Sequence, residues 1–140
     1  MTKIRPRKYA EKDFQADFGR WVRGSGVISR SAAFELKVVD GERIPYDAVV
    51  EHQIDALLAS QRGKLFWKIP DDSLSAKPFD CFLLTAAEAW VVVMFLAQQR
   101  GRRRFTMIGA GLWDQARRHA DKKSITMEEA ESIGLTYELS

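Results

Sequence analysis

Hydrophobic and polar residues recur along the chain with two different spacings, and each spacing predicts one type of secondary structure. Residues 9–23 and 46–60 place apolar side chains three or four positions apart, which predicts two amphipathic helices. Residues 32–39 alternate between apolar and polar positions, which predicts a strand. The segments RGSG after the first helix and DGER after the strand predict turns. The first part of the chain is therefore expected to be helix, strand and helix.

The rest of the chain is dominated by short apolar runs that predict further strands. They cover residues 64–69, 79–85, 89–96 and 104–108, with turn-rich or charged segments between them. A helix is expected at 111–120, and TMEE (Thr126–Glu129) has the form of a capping box that starts a last short helix. This order predicts one α/β domain over residues 1–140, with a mixed central sheet flanked by helices. Residues 1–8 are expected to form a basic arm, and residues 121–140 a tail that contains the short helix.

Composition limits the classes of protein that fit. With 140 residues, 46% hydrophobic and 29% charged, the chain has the size and balance of a single globular domain. The longest apolar run, WVVVMFLA, is too short to cross a bilayer, and no apolar signal segment follows the basic N-terminus. A cytoplasmic location is therefore expected, in the host cell if the protein is viral. Cys81 is the single cysteine, which excludes an internal disulfide and a cysteine-cluster zinc site.

The formal net charge of +3 matters less than the positions of the charged residues. Basic residues concentrate in residues 1–10 and 98–123, whereas acidic residues concentrate in 35–55 and 71–80. This distribution suits a polyanion held over a metal-binding centre. It is equally compatible with ordinary solvated charge, so the chemistry of individual residues has to decide.

The strand predicted at 32–39 carries the most informative pair of charged residues. Glu35 and Lys37 are two positions apart and therefore project from one face, while Phe34 and Leu36 project from the other. A salt bridge at the protein surface would account for the pair by itself. Its meaning depends on which other polar groups lie near it.

Three other polar residues occupy positions that favour apolar side chains. Asp80 precedes an apolar run, where an aspartate is either a turn residue or a buried functional group. Glu11 borders the apolar seam of the first helix and Gln53 lies on the buried side of the second, and each could be a core hydrogen-bonding residue. With the glutamate–lysine pair, these residues supply what phosphodiester hydrolysis requires: carboxylates for a hard divalent cation and a lysine beside it.

Four segments of the chain resemble the PD-(D/E)XK nuclease superfamily, and within it the Holliday-junction resolvases of the archaeal Hjc and bacterial RecU types. The segments are AEKDFQADFGRW, AFELK, VVEHQIDALL and KPFD, all within residues 8–96. The resemblance implies a restriction-endonuclease-like core and a Mg²⁺-dependent endonuclease, with Mn²⁺ able to substitute. It also implies a homodimer that makes paired, symmetric nicks in four-way DNA junctions.

Residue roles follow from the resemblance position by position. Glu11, Glu35 and Asp80 would bind the metal ion. Lys37 would assist the attacking water, and Gln53 would position the site or the phosphate. One feature departs from the family: the aspartate strand normally precedes E-x-K, whereas Asp80 follows it, so the motifs stand in altered order. We interpret this as a move of E-x-K to an earlier strand that neighbours the aspartate strand.

The metal-binding aspartate has an alternative. Asp71 and Asp72 follow Pro70, which makes a literal Pro-Asp pair. They lie in a loop-like PDDSLS segment, whereas an apolar strand is expected directly after Asp80. Asp80 is therefore preferred.

Basic residues outside this site are assigned to contacts with the DNA backbone. The segment QQRGRRRF joins two predicted strands and would place its arginines at a hairpin tip, and KIRPRKY would be a flexible arm. The assigned residues are Arg5, Arg7, Lys8, Lys68, Arg100, Arg102, Arg103 and Arg104. His52 is either a DNA contact or an exposed helix residue without a role.

Other functions remain open at the level of sequence. Another nuclease of the superfamily, with flap, nicking or exonuclease activity, would use the same residues. A non-catalytic DNA-binding accessory protein would keep the fold without the chemistry. A structural domain would use E-x-K as a simple salt bridge.

Overall fold

A computed structural model of the protein describes residues 8–62, 65–67, 82–84, 87–99 and 101–139. The helices are α1 (Glu11–Ser25), α2 (Glu51–Gln61), α3 (Ala110–His119) and α4 (Met127–Ile133). The strands are β1 (Ala32–Val39), β2 (Arg43–Pro45), β3 (Leu65–Trp67), β4 (Phe82–Leu84), β5 (Glu88–Phe95), β6 (Arg104–Gly109), β7 (Ser124–Thr126) and β8 (Leu135–Glu138). Short 3₁₀ turns cover Tyr46–Ala48 and Leu96–Gln98.

Four of these strands form a mixed central sheet in the order β1-β5-β6-β8. β1 and β5 are parallel, with Glu35 opposite Val91 and Lys37 opposite Val93. The β5–β6 and β6–β8 pairs are antiparallel. The prediction of an α/β fold with a mixed sheet flanked by helices is confirmed.

Helices cover both faces of the sheet, and each face has its own hydrophobic cluster. On one face, α1 supplies Phe14 and Phe18, which pack with side chains of β5 and β6 and with the even-numbered residues of β1. On the other face lies a second cluster that includes Ile54 of α2 and Trp113 of α3. The odd-numbered residues of β1 face this second layer, because Ala33 and Val39 pack against it. The two layers therefore differ in which helices they contain and in which half of β1 they meet.

Local sequence signals place several elements correctly. β1 covers the predicted residues 32–39. Gly26, with a φ of 70°, ends α1 in the left-handed conformation that glycine adopts without strain. Thr126 caps α4 by accepting a hydrogen bond from the Glu129 N–H at 3.1 Å, as the TMEE pattern predicts. The short strands β2, β7 and β8 were not predicted, because their few residues show no clear alternation.

One interpretation of the altered motif order is wrong. β4, the strand that follows Asp80, pairs with β3 in a separate two-stranded sheet. The neighbour of β1 in the central sheet is β5. Among the described residues, E-x-K therefore does not lie on a strand next to the strand that follows Asp80.

Among the described residues, no helix is both long and apolar enough to cross a bilayer.

Candidate functional site

The glutamate and lysine of E-x-K lie beneath the first turn of α2. β1 and β5 are parallel, so the chain between them has to return across the sheet, and α2 is part of that return. Glu35 and Lys37 project from β1 toward the layer that contains α2 and α3. The beginning of α2 therefore lies above the charged side chains of β1, and Gln53 belongs to this first turn.

Three of the residues singled out by the sequence are in contact, because Gln53 and Lys37 both reach the same oxygen of Glu35. The Gln53 side-chain amide donates to Glu35 Oε1 at 2.9 Å. Lys37 Nζ lies 3.1 Å from the same oxygen. The other end of the Gln53 amide, Oε1, accepts from the Val50 N–H at 3.1 Å, just before α2 begins. Gln53 thus joins the N-terminus of α2 to the carboxylate and fixes the orientation of both.

This pair of charges is not a surface salt bridge. The Glu35 side chain is 23% exposed and the Lys37 side chain is 16% exposed. Both groups lose most of their hydration, and such burial is often no more stabilising than apolar packing would be. The second carboxylate oxygen, Oε2, has no hydrogen-bond partner among the described residues. It is the oxygen through which Glu35 could bind a cation or a ligand.

An ion-pair network holds α2 from the side of α3. Arg117 donates to Glu51 Oε2 at 2.7 Å and to Asp114 Oδ1 at 2.7 Å. The hydrogen bond from Arg117 lowers the pKa of Glu51, and the hydrogen bonds with both acids raise the pKa of Arg117. Burial opposes ionisation of Asp114, but hydrogen bonds from Arg117 and Arg118 outweigh it and lower its pKa. The first turn of α2 is therefore attached to both β1 and α3.

Local sequence patterns predict only part of this network. Asp114 is three and four positions before Arg117 and Arg118, a helical spacing that could have revealed the contact within α3. Glu51 and Arg117 are separated by 66 positions, so no local pattern joins them. Only the packing of α2 against α3 does so.

Glu11 is not part of the cluster around Glu35. It lies in the first turn of α1, the helix that packs on the opposite face of the sheet, and it is partly buried. Among the described residues it forms no hydrogen bond or ion pair with Glu35, Lys37 or Gln53. The described part of the chain contains no group of three or more His, Cys, Asp or Glu residues arranged to hold a metal ion.

Several assigned residues lie outside the described residues. They are the metal-binding candidate Asp80, its alternatives Asp71 and Asp72, and the DNA-binding candidates Arg5, Arg7, Lys68 and Arg100. Cys81 is also outside. Their roles remain predictions.

The described basic residues of the β5–β6 hairpin are divided between the loop and the sheet. Arg102, Arg103 and Arg104 are all exposed. Arg102 and Arg103 lie in the loop, and Arg104 is the first residue of β6, where the strand was expected to begin. The Arg103 guanidinium lies 3.8 Å from the ring centroid of Tyr9. The Tyr9 hydroxyl donates to Asp17 at 2.6 Å, and burial together with this bond raises the pKa of Tyr9. Arg103 is thus placed against the α1 layer.

Two other candidate DNA contacts are also exposed. Lys8 forms an ion pair with Asp40, directly after β1. His52 is exposed in the first turn of α2 and forms no ion pair within the described chain. These positions leave both side chains accessible to a ligand.

Comparison with known proteins assigns no family to the chain: no protein-family model, no curated protein and no solved structure matches it. Function therefore has to be inferred from the geometry of the cluster and from the resemblance of its motifs.

Proposed function

We propose that the protein is a Mg²⁺-dependent, structure-selective DNA endonuclease of the PD-(D/E)XK type, and that it resolves four-way junctions by paired hydrolysis. The observation that supports this most directly is the convergence of Lys37 and Gln53 on one oxygen of Glu35. The resemblance named these three residues, and they come from two elements 18 positions apart along the chain. A chance salt bridge would not require the glutamine.

The architecture around the cluster also supports the proposal. E-x-K lies on β1, which pairs in parallel with β5. The chain between these two strands includes α2, and α2 carries Gln53. We take this unit as the centre of a restriction-endonuclease-like core. The proposal further includes a homodimer, a branched DNA substrate and a cytoplasmic location.

The donor atoms fit a hard divalent cation in part. Glu35 Oε2 is a carboxylate oxygen without a partner among the described residues, and Glu35 would hold the ion together with Asp80 and Glu11. When bound, Mg²⁺ supplies activation of a water molecule and neutralisation of charge on the phosphoryl group. Glu11 is on the opposite layer of the sheet, so the proposal depends mainly on Glu35 and Asp80 as metal ligands.

The residues of the cluster have separate tasks in this proposal. Gln53 donates to Oε1 and so fixes the orientation of the Glu35 carboxylate, which keeps Oε2 pointing in one direction. Lys37 Nζ neutralises the glutamate in the free protein. With DNA bound, the same ammonium group donates to a phosphoryl oxygen as negative charge accumulates there.

A non-catalytic DNA-binding protein is the second candidate. It is favoured by one observation: in the described part of the chain, Glu35 is the only acidic residue that contacts Lys37 or Gln53. A single carboxylate binds Mg²⁺ weakly, because such sites in proteins usually combine carboxylates with other oxygen ligands. This candidate predicts DNA binding that survives loss of Glu35 and no cleavage with any metal.

The experiment that separates the two uses a labelled four-way junction and a linear duplex of the same arm sequence. Each is incubated with the wild-type protein in Mg²⁺, in Mn²⁺ and in EDTA. The Glu35→Gln variant tests the cluster. Glu88→Gln is the matched control, because Glu88 is a partly buried glutamate on the neighbouring strand and its side chain accepts from Trp90 instead.

Paired, symmetric nicks on the junction alone are expected, with loss of cleavage in EDTA and in Glu35→Gln but not in Glu88→Gln. A loss of 100-fold or more, about 3 kcal/mol, is the typical scale for removing a group that acts on the transition state. Equal cutting of both substrates would keep the nuclease but reject the resolvase. Binding without cleavage in either metal would favour the accessory protein.

A further inference from the structure

A group of exposed cations outside the β5–β6 hairpin belongs to the same layer as the proposed active site. They lie in the last turn of α3 and in residues 120–123, which connect α3 to β7. Arg118, Lys122 and Lys123 are exposed. We propose that Lys122 and Lys123 contact the DNA backbone beside the site. This inference rests on the proposed nuclease function for the identity of the ligand.

The position of the site in the sheet indicates where DNA would approach. β1 and β5 are parallel, so their carboxyl ends lie at one edge, and α2 begins at this edge before it returns to β5. Gln53, in the first turn of α2, reaches Glu35. In open α/β sheets, ligands bind at the carboxyl ends of the parallel strands. We therefore expect DNA to approach at this edge.

The segment after α3 lies at the same edge of the sheet. Arg117, in the last turn of α3, contacts Glu51 in the first turn of α2 at 2.7 Å. The Tyr46 N–H donates to the Lys123 carbonyl at 3.0 Å, shortly before α2. β7 begins at Ser124 and pairs with Pro45 of β2. Three contacts thus attach the segment to the chain that leads into α2.

Both lysines are exposed and can contact a ligand. None of the ion pairs within the described part of the chain includes Lys122 or Lys123. Arg118 donates its Nε to Asp114 at 3.0 Å and is therefore partly neutralised. Asp121 is the one acidic residue among 118–123. Both lysines can exchange their counterions for phosphates, and such contacts do not depend on base sequence.

The two lysines and the hairpin residue Arg103 lie on different layers of the fold. Glu35 and Lys37 project toward the layer of α2 and α3, and the segment after α3 belongs to that layer. Arg103 instead lies over Tyr9, next to α1 on the opposite face. DNA that reaches Glu35 from the α2 side therefore meets Lys122 and Lys123 on its path.

The test measures binding of a fluorescent four-way junction, by anisotropy, over a series of salt concentrations. All proteins carry Glu35→Gln so that the DNA stays intact. Lys122→Ala combined with Lys123→Ala is compared with Arg30→Ala combined with Arg62→Ala. The control removes the same net charge from exposed residues at the other edge, since Arg30 precedes β1 and Arg62 follows α2. Circular dichroism confirms that each protein is folded.

The lysine variant is expected to bind more weakly, and the slope of log affinity against log salt should become shallower by about 1.8, or about 0.9 per lost phosphate contact. The control should retain the slope of the Glu35→Gln parent protein. An unchanged slope in the lysine variant, equal losses in both variants, or no binding by the parent protein would overturn the proposal.

The outcome is independent of the cleavage experiment. Cleavage by the wild type together with an unchanged slope in the lysine variant would reject the surface and keep the nuclease. A shallower slope without cleavage by the wild type would keep the surface and reject the nuclease.

Discussion

The two faces of β1 are made of different chemistry although they belong to the same eight residues. On one face Phe34 packs against Phe18 of α1, with ring centroids 4.9 Å apart and nearly perpendicular planes. On the other, Glu35 and Lys37 are partly buried under α2, and Glu35 accepts a hydrogen bond from Gln53. The first face shows how a strand contributes to a core. The second shows a strand that holds charge where apolar side chains would fit.

The α1 layer has the features of a stabilising core. Phe14 is fully buried, and its ring lies 5.8 Å from those of both Phe18 and Phe105. Trp21 packs edge-on against Phe105 at 4.8 Å. Aromatic pairs of this kind contribute about 0.5–1.5 kcal/mol each beyond the burial of their area. This layer needs no function beyond folding to account for its sequence.

The α2 layer needs another reason for its polar cluster. Two charges that lose most of their hydration are costly, and apolar replacements of similar volume are often neutral or stabilising. The cluster is therefore a position where the sequence differs from what stability alone would favour. Three predictions test this contrast between the two faces, beginning with the largest expected effect.

Phe14→Ala should cause the largest loss of stability. Removal of a fully buried aromatic ring leaves a cavity and is expected to lower the free energy of unfolding by about 3–5 kcal/mol. Urea denaturation measures the loss. Leu112→Ala is the control, because its side chain is 48% exposed and the change should stay within about 0.5 kcal/mol. Equal losses in both variants would mean that the α1 layer is not the packed core described above.

Replacing the whole Glu35–Lys37 pair should preserve stability while it abolishes activity. Lys37→Met alone leaves a partly buried carboxylate without its cation, at a cost of about 1–3 kcal/mol. Adding Glu35→Leu should restore the free energy of unfolding to the wild-type value or above it, while cleavage stays absent. Urea denaturation and the junction assay are measured on both variants.

A different result would change the interpretation of the pair. If the double variant is less stable than Lys37→Met, the charged cluster contributes to folding. The contrast between the two faces would then fail, and a structural role for E-x-K would be favoured.

The contact between α2 and α3 should give the smallest effect, as a dependence of stability on pH. Glu51 and Asp114 have lowered pKa values in the folded state, so their contribution is present at neutral pH and is lost as the pH falls through those values. Wild-type protein should therefore lose more stability than Arg117→Met as the pH falls from about 5 to about 3, a range that begins just above the ordinary carboxyl pKa values. Thermal unfolding at each pH measures the difference. Parallel pH curves would show that the network contributes nothing to stability.

Much of the fold could be predicted from the sequence because it depends on neighbours along the chain. Alternation over residues 32–39 identified β1 with its correct ends. The Thr126–Glu129 cap depends on groups three positions apart. The same alternation showed that Glu35 and Lys37 share a face, and helical spacing placed Gln53 on the inner side of α2, where it is partly buried.

The candidate site itself required the tertiary structure. The sequence supplied Glu35, Lys37 and Gln53 as separate candidates, but their contact depends on the return of α2 over β1, which brings together residues 18 positions apart. The attachment of α3 to α2 joins residues 66 positions apart. It also places Lys122 and Lys123 near the start of α2, where no sequence spacing would put them. Local patterns are set by backbone geometry within a few residues, whereas these contacts follow from strand pairing and from the burial of two helices on one face of the sheet.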